Sequence, residues 1–280
     1  MYGFVHIEKT AGTTLNAILR RSFGARHCDI RLPLAKRRHD RRDCRAYIDA
    51  MDLQRVRRLY RNLCGIAGHN VKPYADLHLA CPQLRFMTIL RDPLCRFRSH
   101  FLNRAPGHTR EAFDAWISAN WTHNWQTKMI AGEPNADKAI DLISSRFGFV
   151  GFTERFDESL LMLRNWLQEP RLDVAYRPVN CISAKQRPCD AARKSSDMSY
   201  LESAEVRAQI QVANAEDQVV YDFVASTIYP RQISMYGVNL ESELRELHER
   251  NRAASKLTEP YLGGFVRNYI YKPLLHCHLM

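Results

Sequence analysis

The chain reads as an α/β protein: a central parallel sheet between layers of helices. Three observations predict it. Short apolar runs of strand length alternate with helix-forming segments along the chain. Two of those runs pass through a polar turn straight into a helix start. No internal repeat interrupts the alternation, and the 280 residues suffice for one large core.

Each element follows from local pattern. Residues 2–7 form a buried strand, and 13–22 an apolar helix. An arginine-rich polar insertion occupies about 23–48, before a helix at 49–62. Gly65-Ile66-Ala67-Gly68 is a second strand ending at His69, followed by a helix or turn from Pro73 to about Ala80. The third strand is 85–90. Asp92 suits the cap and Pro93 the first turn of the helix after it, which runs to about Leu102. Pro106-Gly107 breaks the chain, and helices are expected at 110–119, 122–131 and 135–146. The fourth strand is 147–152. The next helix, 154–168, carries Phe156, Leu160, Leu163 and Leu167 at helical spacing. Pro170, Pro178 and Pro188 make 169–198 an extended loop, and helices follow at 199–228 and 238–253. The aromatic, basic tail from Leu257 fits no element. We expect one domain over 1–230, with 231–280 as a helical extension packed on it.

Composition narrows the class. Hydrophobic residues make up 45% and charged residues 25%, as in a globular protein. No apolar run reaches the length of a membrane span, and the chain opens directly into its first strand without an export signal. A cytoplasmic location is therefore expected. The eight cysteines form no CxxC pair and suit no zinc ribbon, so reduced thiols and no metal are expected. The net charge is +11. Its excess is concentrated in Arg31, Lys36, Arg37, Arg38, Arg41, Arg42 and Arg45, with Arg55, Arg57, Arg58 and Arg61 on the next helix. Such a cluster either draws a polyanion or is a solvated insertion. Nucleic acid is the rival polyanion, but no zinc finger, RNP pattern or helix-turn-helix accompanies it.

Two segments carry chemistry. Glu8-Lys9-Thr10-Ala11-Gly12-Thr13-Thr14 joins the first strand to its helix. Amides at a helix N-terminus, a lysine, three threonines and a glycine make a cradle for phosphate. Alone, the segment is equally a tight connection capped by Thr13 or Thr14. The lysine precedes the only glycine, so this is neither a Walker A loop nor a GxGxxG loop. In the second segment Arg91 ends a strand, at the edge where open α/β sheets bind ligands, and Ser99 lies two turns along the following helix. Both side chains suit one phosphate; alone, Arg91 is better explained by pairing with Asp92 or a neighbouring carboxylate.

Together the segments resemble the sulfotransferases that use 3′-phosphoadenosine 5′-phosphosulfate (PAPS), in the branch of glycosaminoglycan 2-O-sulfotransferases and their bacterial relatives. Phe4 to Leu15 resembles that family's loop for the 5′-phosphosulfate, with Glu8 standing where proline is usual. Thr88 to Ser99 resembles the loop and helix that hold the 3′-phosphate. Gly68-His69, Asn124-Trp125-Gln126-Thr127 with Gly132, and Val150 to Phe156 with Ser159-Leu160 are weaker echoes, in the expected order. Asn180, Ser183 and Arg187 fall where the family has a basic loop. The resemblance implies the P-loop-NTPase-like sulfotransferase fold and transfer of a sulfuryl group to a hydroxyl, on a saccharide that the basic cluster suggests is acidic. It implies donor binding by Lys9, Thr10, Ala11, Gly12, Thr13, Thr14, Arg91, Ser99 and Arg187. Catalytic roles fall to Lys9 and to His69 as general base, with Glu8 and Glu154 as alternative bases. The rival classes are an atypical nucleotide-dependent kinase and a non-catalytic nucleic-acid-binding protein on this fold.

Overall fold

The computed structural model describes residues 1–30, 47–60, 62–169, 172–176, 198–253 and 265–279. Arg187, Asn180 and Ser183 lie outside these residues, as does the basic run 31–45. The described elements are β1 (Tyr2–Val5), α1 (Gly12–Phe23), β2 (His27–Asp29), α2 (Ala50–Leu59), β3 (Gly65–Gly68), α3 (Leu77–Ala80) and β4 (Arg85–Leu90). Then come α4 (Pro93–Arg104), α5 (Arg110–Ile117), α6 (Trp125–Ala131), α7 (Ala136–Arg146), β5 (Phe147–Phe152) and α8 (Phe156–Trp166). The chain continues through α9 (Ala204–Ala213), α10 (Ala215–Phe223), α11 (Tyr229–Tyr236), α12 (Leu240–Ala253) and α13 (Lys272–Leu279).

The five strands form one parallel sheet in the order β2-β3-β1-β4-β5, flanked by helices, as expected of an α/β chain. β1 is central: Val5 lies opposite Gly68 of β3, and Phe4 opposite Met87 of β4. The buried Thr88 hydroxyl donates to the Val5 carbonyl at 2.9 Å, a side-chain tie across the β1–β4 ladder. Parallel strands buried on both faces read as continuous apolar runs, as Phe86-Met87 and Ile89-Leu90 do. A smaller apolar cluster of Phe97, Phe101, Phe113, Trp116, Leu201, Val206 and Ile210 joins α4, α5 and α9 beside the main core.

Several boundaries differ from the sequence reading. β1 stops at Val5 rather than at residue 7, because Ile7 N–H turns back to the Val5 carbonyl at 3.1 Å. The segment assigned to a polar insertion contains β2, an edge strand of only three residues. The 199–228 helix is divided at the buried Asn214, which begins a new helix at Ala215. The unassigned tail holds α13, which packs on α2, and Tyr271 before it stacks on Tyr60 at 4.3 Å.

A buried polar chain secures β2. Tyr2 hydroxyl donates to His27 Nδ1 at 2.7 Å, leaving His27 Nε2–H to donate to Asn16 Oδ1 at 2.7 Å. Asn16 Nδ2 donates to Asp29 Oδ1 and Arg20 Nε to Asp29 Oδ2, each at 2.6 Å. Burial works to raise the Asp29 pKa, but the hydrogen bonds of His27 and Arg20 and the Arg20 charge prevail and hold it well below the usual 3.8. A depressed carboxylate contributes stability above its unfolded pKa and loses it as pH falls. Asp29→Ala should therefore cost about 3 kcal/mol at pH 7, because it strands Asn16 and Arg20. Urea melts should show that deficit shrinking as pH drops below about 4; a deficit that stays constant with pH would contradict the ion pair.

Candidate functional site

β3, β1 and β4 are neighbours and parallel, so their carboxyl ends open side by side. At a strand spacing of about 4.8 Å, the outer two of these ends lie about 10 Å apart. The loop after β1 carries Lys9 to Thr14, His69 follows β3, and Arg91 follows β4. The sheet thus gathers three segments that the sequence separates.

The first loop is unusual in its backbone. Lys9 (φ 70°) and Ala11 (φ 60°) both lie in the left-handed region, which costs a non-glycine residue about 1 kcal/mol. Such strain clusters at ligand sites. Ala11 is the N-cap of α1 and supplies no side-chain cap, so neither Thr13 nor Thr14 caps this helix. The amides of Thr14 and Leu15 bond to the Ala11 carbonyl. Those of Gly12 and Thr13 have no acceptor among the described residues. No acidic residue sits in the first turn. An uncapped N-terminus beside a lysine is an anion site in its electrostatics. Thr10 contributes backbone only, because its buried hydroxyl is bonded to the Ile7 carbonyl. Gly12 is required by its neighbour: a Cβ there would stand 2.1 Å from the His6 ring.

Arg91 crosses to this loop. Its Nη1 donates to the Lys9 carbonyl at 3.1 Å, and its Nε is buried without a partner. Asp92 does not pair with Arg91. Its carboxylate caps α4 through Cys95 N–H, and its own N–H is held by Glu154 Oε1 at 3.0 Å. Ser99 lies on the half-exposed side of α4, with no hydrogen bond among the described residues. Burial lowers the Lys9 pKa, and the Arg91 charge lowers it further, against Glu8. The site is therefore locally cationic.

His69 lies against His6, ring centroids 4.4 Å apart. Its Nδ1 is 2.6 Å from the His6 carbonyl. A carbonyl accepts only, so Nδ1 carries the proton and Nε2 keeps its lone pair. His69 is exposed to solvent. The protein packed around the ring lowers its pKa from 6.5, opposed by the Glu8 charge. His6 is buried enough that its pKa falls to about 3, so it stacks beneath His69 as a neutral ring. Gly68 does not make space for a ligand. At φ 154°, a Cβ on it would meet the Ile30 carbonyl at 2.7 Å.

The alternative bases have other work. Glu8 turns towards α4, where His100 Nε2 lies 3.2 Å and Arg104 Nη2 3.0 Å from its oxygens. Burial opposes ionisation, but the His100 bond and the neighbouring cations bring its pKa to about 2, which makes a poor base. Its partners were not picked out in the sequence, although Arg96, His100 and Arg104 recur every four residues along one face of α4. Glu154 braces Asp92 and accepts from Tyr221 at 3.4 Å. The sequence marks Gln126 only as part of a weak echo; its amide bonds both the N–H and the carbonyl of Arg91.

The described part of the basic stretch does not face this site. Ile48, at the start of α2, bonds Asn70 beyond β3, whereas Cys64, past its end, bonds Tyr2 and Arg26 where their strands begin. The arginines near the end of α2 therefore lie at the sheet's amino edge. Arg55 pairs with Asp52, Arg57 donates to the Ala80 carbonyl, and Arg57 and Arg58 line a cleft of about 380 Å³. A second cleft, about 410 Å³, opens past β5 and is lined by Glu154, Asp157, Tyr176 and His248 among others. Neither includes Lys9, His69 or Arg91. Among the described residues, no His/Cys/Asp/Glu group suits a metal and no helix is long and apolar enough to cross a membrane.

No family model matches the chain. It is 30% identical over 275 residues to galactose-3-O-sulfotransferase 3 of Bos taurus, covering 88% of this chain and 61% of that protein. The human protein of the same name is 30% identical over 276 residues, and the mouse protein 29% over 275. The chain thus spans about three fifths of the length of these curated relatives.

The tautomer and titration of His69 are directly measurable. Nitrogen-15 correlation spectra should show a protonated Nδ1 and a bare Nε2, with a midpoint below 6.5. An ordinary midpoint with mixed tautomers would mean that the His6 carbonyl does not hold the ring.

Proposed function

The chain belongs to the carbohydrate sulfotransferase family, and on that premise we propose that it transfers a sulfuryl group from PAPS to a saccharide hydroxyl. The observation that carries this reading is the convergence of the Lys9–Thr14 loop, His69 and Arg91 on one sheet edge. Its relatives are named for a galactose 3-O position, so a galactose-bearing glycan is the acceptor to try first. The acidic acceptor suggested by net charge has less support from the described residues, since Arg57 and Arg58 lie at the far edge.

The amides of Gly12 and Thr13 and the Lys9 ammonium would receive the 5′-phosphosulfate; Arg91 and Ser99 would hold the 3′-phosphate. His69 Nε2 takes the proton of the acceptor hydroxyl as its oxygen forms a bond to sulfur. The bond from sulfur to the bridging oxygen breaks, and 3′-phosphoadenosine 5′-phosphate (PAP) leaves. Lys9 and the α1 N-terminus stabilise the charge that grows on that oxygen. The nearby Arg91 and the lowered Lys9 pKa suit a site built for several negative charges. Glu8, held by His100 and Arg104, forms no ion pair with Lys9 among the described residues and acts on it only through its field.

Transfer of labelled sulfate from PAPS to galactose-terminated glycans tests the reading; a folded protein that transfers to no glycan in a broad panel contradicts it. In that assay His69→Ala should lose about 10²–10⁴-fold in kcat, and the acid limb of wild-type kcat/KM should lie below pH 6.5. If His69→Ala keeps wild-type turnover while Glu154→Gln is inactive, Glu154 is the base.

Lys9→Ala and Arg91→Ala should separate. Lys9 acts on charge that develops during transfer, so its loss should lower kcat by about 10²–10³-fold. Arg91 would contact a spectator phosphate, and its loss should weaken donor binding by about 10–100-fold at little cost in kcat. Steady-state kinetics in which both variants alter only the donor KM would overturn this division.

A further inference from the structure

Gln126 holds Arg91 by its main chain. The amide is 1% exposed. Its Oε1 accepts the Arg91 N–H at 2.9 Å, and its Nε2 donates to the Arg91 carbonyl at 2.8 Å. The partners fix the amide's orientation, because an N–H needs an acceptor and a carbonyl a donor. β4 ends at Leu90, whose carbonyl accepts the Thr153 amide at 2.8 Å as the ladder with β5 closes. One residue further, the Gln126 side chain takes both backbone groups of Arg91, as a neighbouring strand would.

Gln126 is itself locked. The amides of Gln126 and Thr127 donate to the buried Asp217 carboxylate at 3.1 and 2.7 Å, and the Thr127 hydroxyl does so at 2.8 Å. Asn124 Oδ1 in turn accepts the amides of Glu216 and Asp217 at 3.0 and 3.3 Å. Asn124 N–H donates to Asn214 Oδ1 at 3.2 Å, and Asn124 has φ 46°. The first turns of α6 and α10 thus cap each other, satisfying orphan amides in both. By contrast, the Arg91 side chain has a single described acceptor, the Lys9 carbonyl, and an unpartnered Nε. Gln126 thus fixes the stretch of backbone from which the guanidinium is launched.

We infer that Gln126 is a positioning residue that makes the donor site selective for a 3′-phosphorylated nucleotide, by fixing Arg91 where that phosphate binds. The inference rests on the sulfuryl-transfer reading and its placement of the 3′-phosphate at Arg91. Asn124 and Thr127 join α6 to α10, and Gln126 projects from that joint to Arg91.

The test compares two ligands by calorimetry, PAP and adenosine 5′-phosphate, which lacks the 3′-phosphate. The wild-type protein should prefer PAP, and Arg91→Ala should abolish the preference. Gln126→Met removes both hydrogen bonds in a side chain of similar size. It should lower the melting temperature and weaken PAP binding about tenfold while leaving adenosine 5′-phosphate binding nearly unchanged. The double variant should be no worse than Arg91→Ala alone, because the two residues act through one contact. Should Gln126→Met fail to fold, Gln126→Glu, which keeps an acceptor for the Arg91 amide, gives the same reading with a smaller loss of preference. Equal losses for both ligands, or no loss, would overturn the positioning role. A wild-type protein with no preference for PAP would instead overturn the donor reading on which it rests.

Discussion

The site depends on where β1 sits. Because β1 lies between β3 and β4, and all three run parallel, the segments after each open on the same edge. Short bonds then set their relative height. Thr88 reaches from β4 to Val5 of β1, His69 reaches from β3 to the His6 carbonyl, and Arg91 reaches across to the Lys9 carbonyl. A slip of β1 by one residue would turn its buried Phe4 and Val5 to the wrong faces. Packing of the core therefore brings the three segments to one edge, and these loop contacts set their geometry there.

Electrostatics follow from that placement. Lys9 and Arg91 are drawn together although their charges repel, and burial makes the repulsion stronger. An anion at the α1 N-terminus would relieve it. Glu8 is the nearest carboxylate in sequence, yet it is held by His100 and Arg104 on α4. His100 is enclosed by Trp116, Trp121 and Trp125, with ring centroids 5.3–6.0 Å away. The aromatic wall fixes the imidazole that fixes Glu8. The loop accordingly keeps its positive field and its two strained residues, features that a tight connection without a ligand would not need.

What the sequence disclosed was local. The strand, lysine–glycine loop and helix at residues 2–22 were readable because their chemistry lies within a dozen neighbours. The same holds for Arg91-Asp92-Pro93 and for the strand before it. What it hid was long-range or short in extent. The Gln126 clamp joins positions 35 apart, and Glu8 meets Arg104 across 96. Nothing in either neighbourhood announces the partner. β2 escaped because three residues among arginines give no periodicity; buried polar bonds of His27 and Asp29 help to hold it. Arg57 and Arg58 read as part of a substrate-facing patch, because charge clustering says nothing about which sheet edge the end of a helix reaches.

The central claim is that one parallel sheet assembles two phosphate-binding loops and a base into a single donor site. A crystal structure of the protein with PAP tests it most directly. The account predicts the 5′-phosphate within hydrogen-bonding distance of the Gly12 and Thr13 amides, the 3′-phosphate at Arg91 and Ser99, and His69 Nε2 facing the 5′ end. Nucleotide seated elsewhere, for example against Arg57 and Arg58 at the opposite edge, would contradict it.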